Sequence, residues 1–161
     1  MSTFSFLEPI MVIAIAGCGL MSGLFFVFSV SVMRALALLS AAEGIRAMQS
    51  INRTILNWVF LSAFFGTALV CLATIAISAM QRQPGWAWAT AGSACYLLGS
   101  FLVTAACNVP LNNQLDQLSA TAPESEQQWK RYLHRWTRWN HLRTLASTTA
   151  VILLTISLLS R

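Results

Sequence analysis

Four stretches of the chain are apolar for longer than any half-buried element requires. Pro9 to Met33, Ile55 to Met80 and Trp86 to Cys107 each reach the roughly 20 residues that an α-helix needs to cross a hydrocarbon core, and Leu142 to Leu159 adds a fourth of about 18. Such runs are too long for barrel strands. In a bilayer each backbone amide must be bonded within its own segment, so the pattern predicts helices throughout. The expected fold is all-α, an integral membrane four-helix transmembrane bundle with spans at about 9–33, 55–80, 86–107 and 142–159. These spans and their connections use nearly the whole chain, which predicts one transmembrane domain over 1–161. Met1 to Glu8 contains no Lys or Arg, whereas a secretory signal carries a basic region before its apolar core, so the first span is expected to be retained.

The connections are patterned as well. From Arg34 to Arg53 the residues Leu38, Ala41, Ile45, Met48, Asn52 and Ile55 recur at three- and four-residue steps, which marks the apolar face of an amphipathic helix. Glu43 and Arg46 fall on its wet side, spaced to pair. Asn52 is a polar amide on the apolar stripe, open to two readings: a cap or backbone partner, or a ligand contact. Pro84-Gly85 breaks a short turn, and Trp86 and Trp88 follow where an interfacial belt places aromatic rings. Pro110 lacks a backbone donor and disfavours helix at Val109, so a kink or helix end is expected there. The amides of Asn108 and Asn112 would serve the freed carbonyls or a ligand. Ser119 to Glu126 reads as the one flexible connection.

Beyond it the helical period returns. At 100° per residue Trp129, Tyr132, Leu133, Trp136, Asn140, Arg143 and Ser147 share one sector of roughly 100°, which predicts a helical extension continuous with the fourth span and turned toward the bundle. Lys130, His134, Thr137, His141, Thr144 and Thr148 form a second stripe, and Arg131, Arg135 and Arg138 occupy the remaining face.

Composition agrees with the pattern: 57% of residues are hydrophobic and 9% charged, against roughly 25% charged in a soluble domain. Eight basic residues (Arg34, Arg46, Arg53, Lys130, Arg131, Arg135, Arg138 and Arg143) lie on the side of the two longer connections, and two, Arg82 and Arg161, on the other. The positive-inside rule then puts both longer connections in the cytoplasm and both termini outside, in a multi-pass protein of a bacterial-type inner (plasma) membrane. The net charge of +5 is accounted for by topology and by contact with anionic membrane lipids; no nucleic acid is implied. Cys18, Cys71, Cys95 and Cys107 fall within spans without metal-ligand spacing and read as small apolar packers. Gly19-x-x-x-Gly23, the Ala91, Cys95 and Gly99 stripe, and Gly66 offer close helix approach, within the bundle or as a homo-oligomer.

The candidate chemistry lies at the cytoplasmic end. Arg143 cannot comfortably face lipid and needs polar company, for which Asn52, Asn108, Asn112 and Asn140 are the nearest supply. Together with Trp136 and Tyr132 they would line a pocket for a small aromatic or lipid-like ligand bearing phenol or carbonyl oxygens. His141 is the expected base, with His134 second. The same aromatic, basic and His residues also serve as interfacial anchors, topology signals and headgroup contacts. His134 and His141, two turns apart, offer a haem or copper option, but no carboxylate shares their stripe and no metal is predicted.

Three motifs in this order, Met48-Gln49-x-Ile51-Asn52, Asn108-x-Pro110-x-Asn112 and Trp136-x-x-x-Asn140-x-x-Arg143, set among four apolar spans, resemble the anthrone oxygenase-like family of small membrane proteins. The resemblance covers nearly the entire chain. It implies a candidate monooxygenase that oxidises a phenolic or anthrone-like aromatic with molecular oxygen and needs no organic cofactor, with the motif residues around the substrate. The alternative is a non-catalytic membrane module that holds a lipid, quinone or partner helix in the same pocket.

Overall fold

A computed structural model gives the fold of residues 7–160; Met1–Phe6, on which the expectation of a retained first span rests, and Arg161 lie outside the described residues. Among the described residues four helices are long and apolar enough to cross a membrane: α1 (Leu7–Ala37), α3 (Trp58–Gln81), α4 (Trp86–Asp116) and α5 (Ser125–Leu159). The short helix α2 (Ala41–Thr54) joins the first two. No strand occurs among the described residues, and the chain is a multi-pass membrane protein. The spans run up and down, each packed on the next, and α5 closes the bundle against α1. Helix α2 lies at the basic end, against α5 and the last turns of α4.

Local chemistry sets the helix ends. Ser40 and Glu43 form a reciprocal capping box that starts α2: Ser40 Oγ accepts from the Glu43 amide at 3.4 Å, and the Glu43 carboxylate accepts from the Ser40 amide at 3.1 Å. The side-chain and backbone bonds from Ser40 hold the Glu43 carboxyl below its ordinary range. Arg46 acts on Glu43 only through its charge, while its Nε donates to the Ala42 carbonyl at 3.1 Å. Because α2 begins only at Ala41, Leu38 precedes the amphipathic face and is 89% exposed. Gly44, Ile45 and Met48 form the buried face. Gln49 donates to the carbonyls of Leu115 and Leu118 at 2.8 and 3.0 Å, which ties α2 to the last turn of α4.

Pro110 does not end its helix. The chain adopts a wider π turn over Thr104–Asn108, in which the Val109 amide bonds the Thr104 carbonyl five residues back, and regular α-helix resumes to Asp116. A proline ring inside an α-helix meets the carbonyl four residues before it, and the wider turn relieves that clash. Two further π segments occur, Phe28–Val32 in α1 and Leu97–Leu102 in α4.

The close approaches between helices fall only in part on the expected small-residue stripes: Gly99 is among them, whereas Gly19, Gly23, Gly66 and Ala91 are not. A methyl group added at Gly23 would meet nothing within 4 Å, and one at Gly19 only Val151 at 3.9 Å. Gly17 instead abuts Thr67, Gly92 lies under Leu154 and Ala150, and Gly99 abuts Ala146. Ala91 is exposed while Ala89, Gly92, Ser93 and Tyr96 are buried, so α4 is rotated relative to the predicted stripe. Cys18 and Cys71 are buried with their sulfurs 3.9 Å apart, whereas Cys95 and Cys107 are only partly buried.

Apolar packing divides into layers. One cluster fills the middle of the bundle around Met21, Phe25, Phe64 and Tyr96. Another fills the basic end, where Met33, Ile45 and Met48 meet Leu111, Leu115, Trp129, Tyr132 and Trp136. Gly44 permits this second cluster to form, because a Cβ there would lie 2.6 Å from Trp129 Cζ2. Gly44→Ala is expected to overpack the α2–α5 contact and cost about 1–3 kcal/mol, whereas Gly23→Ala, with open space around it, should leave stability unchanged or slightly higher. Thermal unfolding in detergent checks the pair; equal melting temperatures for both variants would contradict the packing assignment.

Candidate functional site

Between the two apolar clusters lies a thin polar layer, and α5 supplies its centre. The face of α5 that carries Trp129, Tyr132, Trp136, Asn140, Arg143 and Ser147 is buried along its whole length. Asn140 is fully enclosed and donates through Nδ2 to the Phe25 carbonyl and to Ser29 Oγ, both at 2.7 Å. Its Oδ1 accepts from Arg143 Nη2 at 2.6 Å. Arg143 also donates from Nη1 to Thr104 Oγ1 at 3.1 Å, and Thr104 in turn donates to the Ser100 carbonyl at 2.8 Å. One amide and one guanidinium thus tie α5 to α1 and to α4.

Aromatic rings complete the enclosure. The guanidinium carbon lies 4.2 Å from the centre of the Phe25 ring and 5.1 Å from that of Trp136, within the range over which a ring face attracts a cation. Trp136 is fixed by its own indole N–H, which donates to Asn112 Oδ1 at 2.8 Å, and Tyr132 donates to the same oxygen at 2.9 Å. Asn108 Nδ2 reaches the Trp136 carbonyl at 3.4 Å.

Arg143, only 5% exposed, has no carboxylate partner among the described residues. The two ion pairs among those residues, Arg53–Asp116 and Lys130–Glu126, are both elsewhere. Removing an unpaired charge from water is costly, and here amides, hydroxyls and ring faces bear it without neutralising it. In front of the guanidinium is a cavity of about 100 Å³. Phe25, Phe28, Met48, Ile51, Phe60 and Trp136 give it apolar walls, and Asn52, Asn108, Asn112, Thr104 and Arg143 supply its polar groups. Three buried atoms of these residues make no hydrogen bond: Arg143 Nε, Asn52 Nδ2 and Asn108 Oδ1. Two are donors and one is an acceptor, and such groups are rarely left unmatched without a functional reason.

Of the residues singled out from the sequence, Arg143, Asn52, Asn108, Asn112 and Trp136 line this cavity. Tyr132 and Asn140 stand behind it and hold Asn112 and Arg143 in place. His134 and His141 are exposed and line a separate open groove on the other side of α5, because the second helical stripe turns away from the bundle. The expectation that His141 joins the Arg and amide cluster is corrected accordingly. No group of three or more His, Cys, Asp or Glu side chains comes together among the described residues. Ser29 and Thr104 were not anticipated from the sequence. Thr104 lies four residues before Asn108, which lies four before Asn112, so the amide stripe itself pointed one turn deeper.

The side-chain oxygen of Asn140 is the pivot on which the charge balance of this layer can be altered. Asn140→Asp is expected to keep the contact to Arg143 and neutralise the guanidinium, at the expense of the donors to Phe25 and Ser29. Asn140→Ala removes all three contacts. We expect Asn140→Ala to destabilise by about 1–3 kcal/mol and any ligand anion held by Arg143 to be lost in Asn140→Asp. Chemical unfolding together with ligand binding on both variants checks this, and full retention of an anionic ligand by Asn140→Asp would contradict it.

Comparison with known proteins bears on the same region. The family model described as anthrone oxygenase matches residues 54–153, which takes in α3, α4 and most of α5 with Asn108, Asn112, Trp136, Asn140 and Arg143. No curated protein and no solved structure gives a significant match. With well over half of its length matched to that model, the chain belongs to the anthrone oxygenase family.

Proposed function

We propose that the protein is a membrane monooxygenase that converts an anthrone-like hydroxylated aromatic ketone and molecular oxygen to the corresponding quinone and water. The observation that carries this reading is the buried guanidinium of Arg143, without a carboxylate partner among the described residues, facing a largely apolar cavity with its Nε–H unused. A fixed positive charge in a dry site favours the anion of a weak carbon or oxygen acid, and an anthrone becomes reactive toward oxygen when it loses a proton to form its enolate. Arg143 would hold the enolate oxygen. Asn52 Nδ2 would donate to a second oxygen of the ligand, Asn108 Oδ1 would accept from its phenol, and Trp136 would bound its ring face.

The atoms balance without a further reductant. The enolate carbon gives one electron to dioxygen, the two radicals combine into a carbon-bound peroxide anion that takes a proton back from water, and loss of water from the resulting hydroperoxide leaves the new carbonyl. One oxygen atom enters the product and the other leaves as water. No imidazole or carboxylate among the described residues lines the cavity, so the first proton passes to water at its mouth, driven by stabilisation of the anion rather than by a strong base.

The size of the cavity bears on how substrate enters. About 100 Å³ is less than the roughly 150 Å³ that accommodates a benzene ring, so a tricyclic ligand requires the wall to move. The edge formed by Ile55 and Leu56 lies in the non-helical connection before α3, and Leu56 is 65% exposed. Lateral entry there, from the bilayer, suits a lipophilic substrate. The reading includes an inner-membrane setting with the basic end in the cytoplasm, in keeping with the charge asymmetry.

The small size of the cavity favours a second reading, a module that holds a quinone or lipid carbonyl without turnover. Oxygen consumption by purified protein with an anthrone substrate separates the two. Under the oxygenase reading the protein accelerates uptake, Arg143→Gln lowers kcat/KM by about 100-fold or more, and His141→Ala stays within about threefold of the parent. Ligand binding without acceleration would favour the module. Loss of activity in His141→Ala with normal folding would restore the histidine as base.

A further inference from the structure

The groove on the far side of α5 is independent of the oxygenase reading. It lies where α1 ends and where α5 is about to become apolar at Leu142, the level at which lipid phosphates sit beside a span. Arg34 lines it from α1; Lys130, His134, Arg138 and His141 line it from α5. From Lys130 to Arg138 the row extends about 12 Å along the helix at 1.5 Å per residue. The carboxylate that meets this row is Glu126, taken by Lys130 at 2.6 Å. Arg34 and Arg138 are exposed and in no ion pair among the described residues. The groove also has an apolar side, with Met33 and Leu133 next to the cations. A surface that sets uncompensated cations beside apolar side chains at the membrane boundary matches one ligand chemistry, a phosphodiester carrying acyl chains.

We propose that this groove is a binding site for an anionic glycerophospholipid, its phosphate held between Arg34 and Arg138 and its chains descending past the exposed Val30 of α1 and past Leu142 and Leu145, four and seven residues beyond Arg138 on α5. Arg131 and Arg135 do not line it; Arg138 stands at its border with a neighbouring groove that it shares with Arg135. The site would fix the basic half of α5 at the membrane surface.

Native mass spectrometry of the full chain, released from micelles with phosphatidylglycerol or phosphatidylcholine of the same acyl composition, tests the proposal. Phosphatidylglycerol should be retained at least fivefold better, and Arg34→Gln/Arg138→Gln should bring the two lipids to parity. Arg82→Gln, at the opposite end of the bundle, should keep the preference. Millimolar glycerol phosphate should not displace the lipid. Equal retention of both lipids, an unchanged preference in the double variant, or the same loss in Arg82→Gln would overturn the site. Displacement by glycerol phosphate would overturn its assignment to a lipid in favour of a soluble anion. Both positions are exposed, and an unchanged thermal melt confirms folding; should the double variant melt early, the single variants Arg34→Gln and Arg138→Gln take its place, each expected to lose at least half of the preference.

Discussion

The basic half of this bundle is organised by one constraint: a guanidinium kept out of water without a carboxylate. Arg143 is held by Asn140 and Thr104 and flanked by the rings of Phe25 and Trp136. Each of these has its own restraint. Asn140 is bound to α1 through Phe25 and Ser29, Trp136 is bound to Asn112, and Thr104 is bound to the backbone of α4. The polar layer therefore joins three helices by side-chain hydrogen bonds at a depth where apolar packing alone would permit them to slide. Interhelical hydrogen bonds in membranes average only about 0.6 kcal/mol, so the layer is better understood as setting register and orienting a charge than as the main source of stability. The clusters on either side of it supply the packing.

Backbone geometry serves the same layer. Ser29 lies within the π segment of α1, and Thr104 and Asn108 lie within the π turn before Pro110. A π turn adds a residue to the helical period and rotates the residues beyond it, a device often found at functional sites. In α4 it brings Thr104 and Asn108 to one cavity with Asn112 while the proline stays inside a continuous helix. In α1 it gives Asn140 a hydroxyl beside a backbone carbonyl. These departures from regular α-helix coincide with the groups that surround Arg143.

Much of this was legible in the sequence, for physical reasons that differ by element. The four spans follow from the length of the apolar runs, and the buried face of α5 from the 3.6 period of Trp129, Tyr132, Trp136, Asn140 and Arg143, because an Arg and an Asn in an apolar helix can only turn inward. The location of the His residues was less legible. His141 follows Asn140 in the chain, yet the step of 100° between consecutive residues is enough to put it outside the bundle. The π turns were not legible at all: nothing local distinguishes Thr104–Asn108 from an α-helix except the proline beyond it, and a proline there reads more simply as a break. The small-residue stripes were legible only in part, for a related reason. Which face of α4 meets α5 depends on the phase of the whole helix, and the contact falls on Gly92 and Gly99 with Ala91 outside.

The central claim is that Arg143 presents an unneutralised positive charge to the cavity and so binds its ligand as an anion. A hydroxylated naphthol- or anthraquinone-type ligand whose phenol and phenolate absorb at different wavelengths reports this directly, through a pH titration of its visible spectrum when bound to the detergent-solubilised protein. A neighbouring cation favours the ionised form. The account predicts that the bound ligand ionises at a midpoint about one pH unit or more below its value in the same detergent without protein. A midpoint unchanged or raised on binding would contradict it.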